Sequence, residues 1–392
     1  MPVIKLAHLT PVFRSMGGVE SVLRHHHSID QSQGIDSRFI VYFDHDRDPV
    51  ARLRSLEYHP GTTLRQARQR FADAIGQVPP EIALYHGMWG LPFMVDLDGA
   101  ARRILMLHGD VPDMERELRL RSGWVDGVLC VNDPLRRFVH RCLPALAGER
   151  VGVVPYPVLP PFAAPAKAPR QGLPLVLGFC GRLIIEQKRV DRLGALCAGL
   201  NQAGLPYRFE FLGEGPERAR LEQQFPDRAR FIFHGRKSGA EYWRILDGWD
   251  VIVFVSDYEG TPIAMLEALH RGVVPLYPRI GSGGDDYVRS LEHDLLYEPG
   301  ELARLPEILR NLVDLNHEAW QALRSRCQQA VTGHLGERYI SQFANFVRGI
   351  QALPKVSQEP PARSHRPLDF LSFAWRARLA SVRRSGYRLL GR

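Results

Sequence analysis

The sequence predicts an α/β protein of two parallel-sheet domains, and three observations carry the prediction. Short apolar runs alternate with amphipathic stretches, the alternation begins afresh after a proline-rich interval, and 392 residues at 45 % apolar content suffice for two separate cores. In the first half the strand-like runs are residues 3–9, 37–42, 82–85, 103–107 and 127–131, with a helix from about Val19 behind the first of them. Residues 155–174 then hold Pro155, Pro157, Pro160, Pro161, Pro165, Pro169 and Pro174, a density that neither a helix nor a central strand accepts, so the linker belongs there. A second series of strands is expected at residues 175–180, 208–212, 229–233, 251–255 and 273–276. Helices near 302–315 and 337–353 follow, and Pro354, Pro360, Pro361 and Pro367 end the pattern. The expected division is residues 1–160 and 161–335 as two Rossmann-like domains, 336–353 as a helix returning to the first, and 354–392 as a tail.

Composition excludes several classes. Residues 3–9 carry neither the basic region nor the long apolar run of a secretion signal, and no uncharged stretch reaches the ~20 residues that cross a bilayer. The five cysteines are scattered without metal-type spacing, which points to a reducing cytoplasm. The net charge of +8 lies mostly in residues 355–392, where nine basic side chains face Glu359 and Asp369. That leaves +1 for the remainder and argues against a nucleic-acid-binding body.

The segment from Asp250 to Pro275 carries the most chemistry. It reads as a buried strand, a turn holding Glu259, Gly260, Thr261 and Pro262, a helix holding Glu267, and another strand after Gly272. Thr261 is expected as N-cap and Pro262 as the first helical residue, which makes the helix start an anion site at the carboxyl edge of a parallel sheet. Glu259 and Glu267 can then face one cleft as acceptors for a polyhydroxylated ligand. The plain alternatives are a solvated turn residue and a satisfied helix residue.

Two glutamates separated by seven residues, after an Asp-Val strand and before Ala-Leu-x-x-Gly-x-x-Pro, resemble the signature of retaining glycosyltransferases of family 4. Further landmarks fall in that family's order. Gly181-Arg182-Leu183 with Lys188 resembles its diphosphate-binding pair, and Gly213-Glu214-Gly215-Pro216 its Gly-x-Gly-Pro turn. Phe233-His234-Gly235-Arg236 resembles the element beside the nucleotide base. Gly17-Gly18 resembles the glycine pair opening the first helix, and His108-Gly109 a strand-ending histidine over the donor sugar.

The resemblance covers roughly residues 5–350 and implies a GT-B architecture, two Rossmann-like domains with parallel sheets facing a central cleft. The amino domain would take the acceptor and the carboxyl domain a nucleoside diphosphate sugar, UDP- or GDP-linked. By the same resemblance Glu259 would hold sugar hydroxyls, Glu267 the ribose, and His108 the sugar near its reacting carbon. Arg182 and Lys188, with the backbone at Gly17, Gly18 and Thr261, would neutralise the departing diphosphate without a metal or any cofactor. The chain departs from the family at Val154-Pro155-Tyr156-Pro157, where Asn-Gly-Val-Asp is usual, and at Gly281-Ser-Gly283-Gly284-Asp285-Asp286, where Gly-Gly-x-x-Glu is usual.

Three other features lie outside the resemblance. Consecutive helical residues point about 100° apart, so His25-His26-His27 cannot all ligate one metal. Residues 85–90 either line the acceptor side of the cleft or simply pack. In the tail, Leu368, Leu371, Trp375, Leu379, Val382 and Leu389 share one helical face with arginines around the rest. That pattern suits an anionic membrane surface and a lipid-linked or cell-envelope glycan acceptor, such as lipopolysaccharide or exopolysaccharide, at the cytoplasmic face of the inner membrane. A helix docked on the protein or a disordered tail is the alternative. A sugar-nucleotide epimerase, a phosphorylase and a non-catalytic nucleotide-sugar scaffold remain as other functions for such an architecture.

Overall fold

The computed structural model describes residues 3–14, 17–45, 50–76, 79–100, 102–109, 113–165, 174–334, 338–358 and 367–374. The first domain runs β1 (Ile4–Thr10), α1 (Gly18–Ile29), β2 (Ile35–Val41), β3 (Leu53–Ser55), α2 (Leu64–Ile75), β4 (Ile82–His86), α3 (Leu91–Met94), β5 (Arg102–Leu107), α4 (Met114–Arg121), β6 (Gly127–Cys130), α5 (Asp133–Cys142) and β7 (Val151–Val153). Among the described residues its sheet has seven strands in the order β3-β2-β1-β4-β5-β6-β7. Neighbouring strands pair in parallel throughout.

The second domain runs β8 (Leu175–Cys180), α6 (Leu193–Gln202), β9 (Tyr207–Leu212), α7 (Arg218–Gln224), β10 (Phe231–Gly235), α8 (Gly239–Asp247), β11 (Val251–Val253), α9 (Ile263–His270), β12 (Val274–Pro278), α10 (Gly283–Arg289), β13 (Leu296–Tyr297), α11 (Leu305–Val313) and α12 (His317–Ala330). Its parallel sheet has the order β10-β9-β8-β11-β12-β13. Helices cover both faces of each sheet, which is why the central strands read as continuous apolar runs. Leu6, Ala7 and Leu9 of β1 and Val251, Ile252 and Val253 of β11 are all buried.

A final helix, α13 (Arg338–Ala352), lies on the first domain. Arg348 Nη2 donates to the Gln33 carbonyl, Gln351 Nε2 donates to Glu81 at 2.7 Å, and Tyr339, Phe343 and Val347 are buried. Beyond it, Asp126 accepts from the backbone of Val356 and Ser357 at 2.9 and 3.0 Å. Residues 367–374 dock against the same domain: Ser372 bridges Thr63, Phe373 N donates to the Thr62 carbonyl at 3.0 Å, and the Phe373 ring sits among Phe43, Tyr58 and Trp89. The helix expected from residue 368 begins instead as one 3₁₀ turn at Pro367–Phe370, and its remainder, residues 375–392, lies outside the described residues.

Two corrections concern the helices. Pro262, not Thr261, is the N-cap of α9; it is extended at ψ 117°, helical geometry begins at Ile263, and Thr261 uses its hydroxyl elsewhere. The helix α12 was not anticipated. Its inward stripe is Trp320, Leu323, Arg324 and Cys327, and a charged residue in that stripe hides the helical period. Arg324 occupies the core position because Asp250 receives its Nη2 at 2.8 Å.

Candidate active site

The strand orders reverse between β1 and β4 and between β8 and β11, and open α/β sheets bind ligands in the crevice outside the carboxyl ends of their strands at such points. The two crevices face each other. Gly109, just after β5, forms an antiparallel bridge with Gly260, just before α9. Asn132 Nδ2 donates to Thr261 Oγ1 at 3.0 Å across the same seam. A Cβ at position 260 would stand 1.9 Å from the His108 carbonyl oxygen, so only glycine lets the two backbones meet. The amino ends of α1 and α9 converge beside this contact, with Gly18 packed directly on the Ile263 side chain. Two sets of unpaired helix N–H groups therefore point toward one region, which favours an anion there.

Behind them lies a charged corner. Lys188 Nζ donates to Glu259 Oε1 at 2.6 Å, and Ser256 Oγ donates to the same oxygen at 2.7 Å. Gln187 Nε2 reaches Glu259 Oε2 at 3.5 Å and the Tyr258 carbonyl at 3.2 Å, while Arg182 Nη2 donates to Gln187 Oε1 at 2.9 Å. The Lys188 and Glu259 side chains are 14 % and 6 % exposed, whereas Arg182 is exposed. The loops after β8, β9 and β10 stack on one another around this corner. Gly181 N donates to the Leu212 carbonyl, Gly213 N donates to the Gly235 carbonyl, and a Cβ on Gly213 would meet the Gly181 carbonyl oxygen at 1.9 Å. Arg236 follows Gly235 and is exposed.

Glu267, on the second turn of α9, is half-buried and accepts from the Tyr242 hydroxyl of α8. Burial pushes its carboxyl up to about 7. Ser282 caps α10 in a reciprocal arrangement with Asp285, so the acidic residue of that glycine-rich loop serves the helix start.

The imidazole of His108 has both nitrogens engaged inside the first domain: Nε2 lies 3.0 Å from His86 Nδ1, and Nδ1 shares a hydrogen bond with the Tyr156 hydroxyl. Burial pushes it down to about 3, so it is neutral at neutral pH. What His108 presents to the interdomain seam is its backbone carbonyl.

The structure thus brings Arg182, Lys188 and Glu259 together, sets Gly18 against the start of α9, and sets Gly109 against Gly260. Arg236 follows Gly235 in the loop after β10 and is exposed. Sequence reasoning missed Gln187, Ser256, Tyr242 and Asn132. The first two lie inside segments already singled out, 182–188 and 250–275, but an aromatic on α8 and an asparagine capping α5 carry no local signal of a cleft.

A family model described as "Glycosyl transferases group 1" matches residues 174–314. Curated relatives agree over the stretches they share. A 2-deoxystreptamine glucosyltransferase of Streptomyces kanamyceticus is 32 % identical over 151 residues, 37 % of this chain and 38 % of that protein. A putative colanic acid biosynthesis glycosyltransferase, WcaL of Salmonella typhimurium, is 26 % identical over 194 residues, 47 % of each chain. The chain thus spans less than half the length of either relative. Solved structures match far more of it. The lipopolysaccharide outer core galactosyltransferase WaaB aligns with a TM-score of 0.66 at 17 % identity, over 88 % of this chain and 99 % of its own. Anabaena HepE in complex with UDP aligns at 0.66 and 14 %, over 89 % of this chain and 100 % of its own. Over the part of the chain that these structures cover, the fold is GT-B.

Proposed function

We propose that this chain is a retaining, metal-independent glycosyltransferase that moves a sugar from a nucleoside diphosphate sugar to a lipid-linked or cell-envelope glycan. The observation that carries the reading is the Lys188–Glu259 pair standing beside two converging helix starts. Lys188 is paired with Glu259 and neutralises it. An arriving diphosphate draws Lys188 and the fork of Arg182 onto its oxygens, which releases Glu259 to accept from sugar hydroxyls. As the bond from the anomeric carbon to the β-phosphate oxygen breaks, the charge growing on that oxygen meets Lys188, Arg182 and the N–H groups at Gly18 and Ile263. The acceptor hydroxyl attacks from the same face, its oxygen forming the new bond while its proton passes to the leaving β-phosphate. Glu267 receives the ribose hydroxyls, and the glycine turns at Gly181, Gly213 and Gly235 leave room for the nucleotide.

The relatives support the acceptor class: WaaB is a lipopolysaccharide outer core galactosyltransferase and WcaL a putative colanic acid biosynthesis glycosyltransferase. HepE, solved with UDP, supports a uridine donor. No helix among the described residues is long and apolar enough to cross a membrane. We place the enzyme at the cytoplasmic face of an anionic membrane, held by the six arginines of residues 375–392. The test is release of nucleoside diphosphate from UDP-, GDP- and ADP-sugars with a lipid-linked glycan acceptor, with and without chelator. Turnover of one donor that survives the chelator is expected. Binding without turnover under every condition would instead favour a scaffold.

A further inference from the structure

The contacts of His108 with His86 and Tyr156 belong to a longer buried polar chain that runs through the first domain. Asp30, directly after α1, is fully buried and accepts at 2.9 Å from His26 Nδ1, at 3.2 Å from His8 Nε2, and from the Ser37 hydroxyl. From His8 the chain continues toward the cleft: His8 Nδ1 lies 2.9 Å from His86 Nε2, His86 Nδ1 lies 3.0 Å from His108 Nε2, and His108 Nδ1 meets the Tyr156 hydroxyl. In the other direction His26 Nε2 and the Tyr339 hydroxyl share a bond of 2.7 Å. The imidazoles follow one another edge to edge in nearly parallel planes, with ring centroids 5.2 Å apart from His8 to His86 and 5.2 Å from His86 to His108. The two tyrosines come from the two segments that connect the domains, the linker after β7 and helix α13.

The direction of every bond follows from its buried end. Hydrogen bonds to its partners hold the Asp30 carboxyl well below its usual range against the cost of burial, so Asp30 is ionised and can only accept. His8 must then carry its proton on Nε2. Burial keeps His8, His86 and His108 neutral, so each has one N–H, and the free Nδ1 of His8 demands Nε2–H on His86, which in turn demands Nε2–H on His108.

We propose that Asp30, His8 and His86 are positioning residues for the transfer site. They lock His108 as its Nε2–H tautomer and so hold the His108-Gly109 backbone against Gly260, with Tyr156 and Tyr339 tying both domain connections to the same chain. The inference rests on the transferase reading only for its kinetic arm. The same side chains also bring three ligand atoms of His8, His26 and Asp30 within 4.8 Å of one another, but a cation would need the nitrogen lone pairs that this chain assigns to N–H groups.

The test is ¹⁵N NMR of histidine-labelled full-length protein at neutral pH, with assignments from single His→Gln variants. The expected result is Nε2–H with bare Nδ1 at His8, His86 and His108, and a shift of His108 toward Nδ1–H in Asp30→Asn, whose amide can donate to His8. Turnover in that variant is expected to fall about 10- to 100-fold with donor KM little changed, while Tyr339→Phe leaves the His108 tautomer as it was. Nδ1–H at His108 in the unaltered protein would overturn the proposal, a measurement that needs no donor to turn over. So would an unmoved tautomer in folded Asp30→Asn, full activity in a variant whose tautomer has moved, or one tightly held divalent metal per chain.

Discussion

Lys188 and Glu259 were legible in the sequence as separate motifs 71 positions apart; what was not legible is that they meet, and that Ser256 and Gln187 complete the contact. Spacing along a strand-turn-helix unit gives a residue's place, whereas a partner from another loop is fixed only by the order of strands in the sheet. Glu267 shows the same limit. Its place on α9 was readable, but Tyr242 arrives from α8, and burial between them moves its carboxyl from the ordinary 4.5 to about 7. A carboxyl whose folded value is raised keeps its proton where the unfolded chain has lost it, so its contribution is present below about 4.5 and is lost as pH rises through 7. The size over that window is about 3 kcal/mol. Glu267→Gln should therefore flatten the fall in urea-unfolding free energy between pH 5 and 7.5, and parallel curves for the two proteins would refute the assignment.

At the level of elements, every described strand of five or more residues was foreseen, because strands buried on both faces cannot hide their apolar runs. The misses are β3, β7 and β13, three residues or fewer, and α12, whose stripe contains Arg324. The start of α9 moved by one residue because proline holds the extended cap itself. The interdomain seam was beyond sequence reasoning, since Gly260 reads as an ordinary turn glycine until His108 is placed against it. Gly260→Ala must displace the His108 carbonyl, a backbone atom, and so separates the domains. Turnover should drop by at least about 100-fold, as for misplacement of reacting groups by an ångström, with the melting of each domain little altered. Small-angle scattering should show a larger radius of gyration. An unchanged radius with full activity would show that the seam is not needed.

For the whole molecule, the tail is where sequence and structure divide the argument. Residues 367–374 are seated on the first domain beside Trp89, so the arginine-rich residues 375–392 start from the side of the protein proposed to receive the acceptor. Truncation after Ala374 keeps the docked segment and the Asp126 contacts of Val356 and Ser357 intact, and should abolish co-sedimentation with vesicles containing anionic lipid. Retained binding would move the membrane contact elsewhere.

On the proposed reading, the corner around Lys188 holds the donor diphosphate. Calorimetric titration of UDP, GDP and ADP into the intact protein and into Lys188→Ala tests it most directly. One nucleotide should bind the intact protein and lose about 10²-fold or more in affinity in the variant, the range for removing one charged partner of a desolvated pair. Equal affinity in both proteins would contradict the account.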